Sequence, residues 1–181
     1  MPARPRVLLL PGWLNSGADH WQTHWEILHG HERVEQSDWK TPLRGDWMIR
    51  LEETLLADSR PAVLVAHSLG CHLVAAWAAH TRHPGRVRAA LLVAPPELDS
   101  PVVLGPLHSW PPVLRRRLPF AATLVYSDDD PWAAAAWSRT LAEDWGASAH
   151  SIGAVGHING ASGLGAWREG LVLLAKLIEA T

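Results

Sequence analysis

The stretch VLVAHSLGCHLVAAWAAH, residues 63–80, decides the reading of this chain. It begins as a continuous apolar run, breaks at His67-Ser68, passes Gly70 and resumes with the composition of a buried helix. A serine at a sharp strand-to-helix turn presents its hydroxyl outward, where it can act as a nucleophile. Serine is also a favoured residue at a helix N-cap. The stretch alone admits both readings, and the rest of the chain has to separate them.

Outward from this point the apolar segments alternate. Arg6–Leu10 reads as a buried strand ended by Pro11-Gly12, and Val34–Asp38 as a second, short strand. Residues 47–57 have helical spacing of apolar side chains. Ala62–Ala66 reads as a strand and Leu69–Thr81 as a helix. Val87–Ala94 is a strand stopped by Pro95-Pro96, and Ala122–Tyr126 another. Pro131–Trp145 reads as a helix with proline in its first turn, Ala149–Ile152 as a last strand, and Leu164–Ala180 as the closing helix. Strands that are apolar on both faces and alternate with helices predict a parallel sheet covered on both sides. The fold class is therefore α/β: a three-layer sandwich with about six parallel strands. So little chain lies outside these elements that one domain over residues 1–181 is expected, without a cap domain. The proline-rich segment Glu97–Pro119 lacks periodicity and reads as a loop or short helix over the sheet edge where ligands bind.

Composition narrows the function classes. The 181 residues are 48% hydrophobic and 19% charged, which suits a packed core rather than a disordered chain. Sixteen basic and eighteen acidic side chains leave a formal charge of −2. No basic stripe points to nucleic acid and no polybasic cluster to anionic lipid; Arg115-Arg116-Arg117 is too short for either. The apolar run Val7–Leu10 is too short for a signal-peptide core or a membrane span. One cysteine excludes an internal disulfide framework and fits a reducing compartment. A cytoplasmic protein is expected.

Ligands of such sheets bind beyond the carboxyl ends of the strands. The residues there are Gly12-Trp13-Leu14-Asn15, His67-Ser68-Leu69-Gly70, Ser127–Asp130 and Gly156-His157. They bring a serine, an acid and a histidine in that order, which is the order in which an α/β-hydrolase supplies nucleophile, acid and base. Asp128 and Asp129 are rivals for the acid. Pro131 biases the residue before it toward extended backbone, which favours Asp130.

The chain also resembles a known family. LLLPGW (8–13), DHWQ (19–22), HSLGC (67–71), SDDDPW (127–132) and GHINGASGLGAW (156–167) are similar to the small, capless serine hydrolases related to the human retinoblastoma-binding serine hydrolase, bacterial members in particular. The resemblance covers nearly the whole chain. It implies a trimmed α/β-hydrolase sheet with Ser68 as nucleophile, Asp130 as acid and His157 as base. Ala66 departs from the general G-x-S-x-G elbow, where glycine stands; alanine strains the close strand–helix approach little.

The chemistry accounts for each residue type. A serine hydroxyl needs a neighbouring base to become nucleophilic, an imidazole takes and returns that proton, and a carboxylate fixes its tautomer. The oxyanion then needs preorganised N–H donors. Leu69, at the start of a helix, supplies one; Trp13 is expected to supply the other, with Leu14 as its neighbour to check. Trp13, Trp110 and Trp132 fall on or beside site loops and, with Leu14, are expected to line an apolar pocket. His20 and His24 are four apart, but without an acid at zincin spacing they are a weak metal signal. Cys71, inside the helix, reads as a small buried hydrophobe, His67 as elbow packing and His72 as helix surface. The expectation is a serine hydrolase acting on a small ester, thioester or amide, a small-molecule or peptide-like acyl substrate, with no cofactor or metal. An interaction module with a vestigial site is the alternative.

Overall fold

Successive residues of the apolar strands go to opposite faces of one sheet, and helices cover both faces. The computed structural model describes residues 5–99 and 105–181. Its strands are β1 (Arg6–Leu10), β2 (Glu32–Arg33), β3 (Ala62–His67), β4 (Val87–Val93), β5 (Ala121–Tyr126) and β6 (Ser148–Ser151). They form one sheet in the order β2-β1-β3-β4-β5-β6, with every pairing parallel. The helices are α1 (Trp21–His29), α2 (Arg44–Leu56), α3 (Leu69–His80), α4 (Ala135–Trp145) and α5 (Arg168–Glu179).

Leu8, Leu10, Leu64, Ala66, Leu92 and Leu124 pack beneath α2, α3 and α4, through Trp47, Leu51, Leu73, Leu141 and Trp145. Leu9, Val63, Val65, Leu91, Val93 and Val125 face α1 and α5, through Trp21, Trp25, Leu174 and Leu177. Each such Leu or Val contributes about 1.5–3 kcal/mol by leaving water. β3 and β4 are central and, apart from Arg88 near the start of β4, buried throughout, so the turn after β3 stands on the middle of the core. No helix among the described residues is long and apolar enough to cross a membrane.

The structure moves several expected boundaries. The second strand is Glu32–Arg33 rather than Val34–Asp38: Val34 donates to Leu9 O at 2.9 Å, and the chain then leaves the sheet. This edge is held by charge rather than apolar pairing, with Arg6 Nε and Nη2 bound to Glu32 at 3.0 and 2.9 Å. α4 begins at Ala135, because residues 131–134 turn before the helix starts. α5 begins at Arg168, because Gly163, Gly165 and Trp167 all have positive φ and cannot continue a helix. His72 lies buried, not on a helix surface, since α3 is covered on all sides up to Trp77. Between Val93 and Ala121 the described residues form turns, bends and irregular backbone with no helical lid among them. Residues 100–104 of the Glu97–Pro119 segment lie outside the described residues.

Candidate active site

At the end of β3 the chain turns through Ser68, with φ 54° and ψ −121°. Such a conformation costs a non-glycine residue about 1–3 kcal/mol and persists only where surrounding contacts impose it. Two contacts do so here. The Ser68 N–H donates to Val93 O at 2.8 Å, and β1 presses against the turn from the other side. A Cβ on Gly70 would lie 2.3 Å from Leu10 O, and one on Gly12 would lie 2.8 Å from Ser68 Cβ. Only glycine allows either approach. The Ser68 side chain makes no capping bond to α3, so its hydroxyl is not spent on the helix end.

That hydroxyl instead faces His157, whose Nε2 is 2.8 Å from Ser68 Oγ. On the other edge of the ring, Nδ1 is 3.0 and 2.9 Å from the two carboxylate oxygens of Asp130. The side chains of His157 and Asp130 are 11% and 3% exposed, so water screens the pair poorly. Asp130 Oδ1 also accepts the Trp132 N–H at 2.9 Å, which fixes the carboxylate. The rival acids are turned elsewhere. Asp128 accepts the Ser151 hydroxyl at 2.9 Å. Asp129 accepts the Gly156 N–H at 2.7 Å and the Ser127 hydroxyl at 2.8 Å, and these donors hold its carboxyl below the usual range. Asp129 thus ties down the loop that carries His157.

Facing the serine from β1 is the loop Gly12–Ser16. Its Leu14 N–H is occupied, donating to Trp39 O at 3.0 Å. The Trp13 and Leu69 N–H groups have no backbone partner among the described residues. The approach of Gly12 to within 3.3 Å of Leu69 N, measured from its would-be Cβ, puts the two segments side by side. Two side chains anchor this loop. Gln22 accepts the Ser16 hydroxyl at 2.7 Å and donates to Leu10 O and Val65 O. Arg33 donates to Asn15 Oδ1 at 2.8 Å and to Ser16 O at 2.9 Å. Leu14 and Asn15, both at positive φ, are held in that shape by these bonds.

A cavity of about 470 Å³ opens over Ser68, lined by Trp13, Leu14, Pro96, Leu98, Pro106, Leu107, Trp132 and His157 among others. Among the described residues, no Lys, Arg, Asp or Glu lines it. Trp132 stands edge-on to His157 with ring centroids 6.4 Å apart. Trp110 is not part of this wall. It is 2% exposed, packs edge-on against Trp47 and donates to Pro42 O at 2.9 Å, which makes it core. Leu98, Pro106 and Leu107, from the same segment, are the residues that sequence reasoning missed; an aperiodic proline-rich stretch gave no signal for them.

Beneath the site lie further histidines. His20 caps α1, with Nδ1 accepting the Gln22 N–H at 3.1 Å, and its ring packs on His67 rather than pairing with His24. Among the described residues no group of three His, Cys, Asp or Glu is placed to hold a metal. Burial, and then the neighbouring charge of Arg33, pushes His20 down to about 4. Burial drives His67 well below the ordinary imidazole value, with His20 and His157 adding to it. The Cys71 thiol is buried and donates to Val93 O, and burial raises its pKa far above the ordinary value. It is not a nucleophile.

Among solved structures, a protein described as a YdeN-like hydrolase from Pectobacterium atrosepticum is 25% identical. It matches over 98% of this chain and 92% of its own, with a TM-score of 0.85. The ydeN gene product of B. subtilis is 18% identical over 97% of this chain and 100% of its own, with a TM-score of 0.77. A hydrolase of the α/β superfamily from Xanthomonas campestris is 24% identical over 96% and 100%, with a TM-score of 0.62. The latter two likenesses bear on the fold alone. Comparison with curated proteins returns no match. Residues 7–176 match the serine hydrolase family, and with that span of the chain accounted for, the protein belongs to the serine hydrolases.

Proposed function

We propose that this chain hydrolyses a small, uncharged carboxylic ester, thioester or amide through an acyl-enzyme on Ser68. The observation that carries the reading is the continuous line Ser68 Oγ–His157 Nε2–His157 Nδ1–Asp130, closed at 2.8 and 2.9 Å. In it, His157 takes the Ser68 proton as Oγ attacks the acyl carbon, and Asp130 stabilises the resulting imidazolium. The tetrahedral oxyanion accepts from the Trp13 and Leu69 N–H groups; Leu14, whose N–H is committed to Trp39 O, takes no part. His157 then protonates the leaving group, which departs. Water repeats the sequence, giving up its proton to His157 and releasing the acid from Ser68. No step requires a cofactor.

An apolar cavity of about 470 Å³ without a charged wall supports a neutral acyl group of modest size. Trp132 and Leu14, 48% and 57% exposed at its mouth, suit contact with the substrate's apolar part. The motifs quoted above support a place beside relatives of the human retinoblastoma-binding serine hydrolase, and the lone buried Cys71 supports a cytoplasmic location. A module that only binds another protein has no use for these three spacings, so the interaction reading is the weaker one. The test is pre-steady-state hydrolysis of p-nitrophenyl butyrate with intact-mass detection. The reading predicts a burst of nitrophenol and a protein heavier by one butyryl group. Turnover with neither burst nor adduct, under conditions where acylation is fast, would assign the chemistry to direct attack by water.

A further inference from the structure

His20 and His67 are buried, lie in no step of the proposed reaction, and form a chain whose two ends are both main-chain groups of fixed polarity. At one end the Gln22 N–H, which can only donate, meets His20 Nδ1 at 3.1 Å. A neutral imidazole that accepts on Nδ1 carries its proton on Nε2. That Nε2 faces His67 Nδ1 at 3.3 Å. At the other end His67 Nε2 is 2.9 Å from His157 O, which can only accept. His67 must therefore carry its proton on Nε2 and accept on Nδ1. The two requirements agree at the shared contact, so one tautomer of each ring satisfies every bond, and a second proton on either ring would break one.

The group at the end of this chain is the main chain of the proposed base. The next carbonyl, of Ile158, accepts the Trp21 indole N–H at 2.8 Å, and the Ala166 carbonyl accepts that of Trp25 at 2.8 Å. Ile158 itself is held at φ 50°, a conformation it would not keep without such contacts. From the other side, Asp129 and Ser127 accept the N–H groups of Gly156 and Val155, at 2.7 and 3.0 Å respectively. The DHWQ segment thus holds the histidine loop directly through Trp21 and by way of His67 through His20, and the oxyanion loop through Gln22.

We propose that His20 and His67 are positioning residues. The tautomer of His20 obliges His67 to donate to His157 O, and this bond sets His157 between Ser68 and Asp130. The kinetic consequence rests on the proposed hydrolase reading; the placement of the ring does not. The charged or titratable groups facing the pair are Arg33, His24 and His157, all of which resist protonation of His20 or His67.

The test compares His67→Phe, which keeps a ring but no donor, with His67→Gln, whose Nε2 occupies the place of the imidazole Nε2. Nitrogen-15 NMR of the wild type should show both rings as Nε2–H tautomers, unchanged across about pH 5–8, where a free imidazole titrates. His67→Phe should lose the downfield Nδ1–H signal of His157. It should lower kcat on p-nitrophenyl butyrate by about 10- to 100-fold with little change in KM, as expected for a misplaced reacting group. His67→Gln should recover most of both. His20→Phe combined with His67→Phe should cost no more than His67→Phe alone, because either change breaks the same chain.

A His67 Nδ1–H tautomer, titration of either ring in that range, or a folded His67→Gln no better than His67→Phe overturns the proposal. If the wild type turns over no acyl substrate, the hydrolase reading fails on its own. The NMR comparison still decides the positioning role, and the wild-type tautomers decide it even where a variant does not fold.

Discussion

Asp130→Asn changes one atom in a carboxylate that is 3% exposed and doubly engaged, so its outcome can be worked through. Oδ1 accepts the Trp132 N–H at 2.9 Å, and the amide oxygen keeps that bond. The amide nitrogen then occupies the Oδ2 place, 2.9 Å from His157 Nδ1. An NH₂ group can only donate, so the tautomer that accepts on Nδ1 and carries its proton on Nε2 gains over the one that donates to the remaining oxygen at 3.0 Å. His157 then offers Ser68 a donor where the reaction needs an acceptor. Loss of that tautomer costs on the order of 10⁴ in turnover, or about 5.5 kcal/mol of barrier at 1.36 kcal/mol per decade. The near-isosteric change should leave folding stability within about 1 kcal/mol. The assay is kcat/KM on p-nitrophenyl butyrate beside a thermal melt, with Asp128→Asn and Asp129→Asn as matched controls. Both controls keep an oxygen for the Ser151 hydroxyl or for the Gly156 N–H, and should stay near wild type. Normal turnover in Asp130→Asn, or a dead Asp129→Asn that is fully folded, refutes the assignment.

Gly70→Ala should destabilise the protein although alanine is the better helix former. Its Cβ would meet Leu10 O at 2.3 Å and Pro11 O at 3.0 Å, both main-chain atoms. The overlap costs about 1–3 kcal/mol, a fall in Tm of roughly 2–4 °C per kcal/mol for a chain of this size; an unchanged or raised Tm contradicts the packing described. Stability should also fall as pH drops from about 6.5 to about 4. His20 and His72 are each held neutral down to about 4 in the fold, so the unfolded chain binds more protons in that window. Each contributes a loss of about 3 kcal/mol by pH 4, and His67 adds to it in the same direction. Carboxylates held low, such as Glu32 and Asp129, act in the same direction from the acid end of that window downward, as the unfolded chain takes up their protons first. Urea midpoints that stay level between pH 7 and pH 4 contradict the burial of these rings.

Much of the fold is legible because its central strands are apolar almost throughout, with Arg88 the one charged residue in β3 or β4. β1 matches its expected span, and β3, β4 and β5 lie within a residue of theirs. β2 was misplaced because its pairing residues are Glu32 and Arg33, polar groups stabilised by ion pairs that no hydrophobic pattern reveals. The sequence places the starts of α4 and α5 too early because apolar Trp132–Ala134 and Leu164, Ala166 and Trp167 continue the helical pattern backwards; only the backbone shows Trp167 at φ 38°. In the site, chain order brought Ser68, Asp130 and His157 forward, and the structure puts them in contact. That the Leu14 N–H is taken depends on Trp39 O, 25 residues beyond Leu14, which spacing cannot reach. Trp110 looked like a pocket residue because its neighbours in sequence are; its partner, Pro42, lies far back in the chain. In the sequence His67 reads as packing. A buried imidazole needs partners, but nothing in the sequence named His20 and His157 O as the two.

The most direct measurement is covalent trapping by a fluorophosphonate, with the modified peptide located by mass spectrometry. The account predicts one adduct, on Ser68, formed by the folded wild type, abolished in Ser68→Ala and greatly slowed in His157→Gln. An adduct that persists in Ser68→Ala, or a folded wild type that never labels, would contradict the claim that Ser68 is the nucleophile.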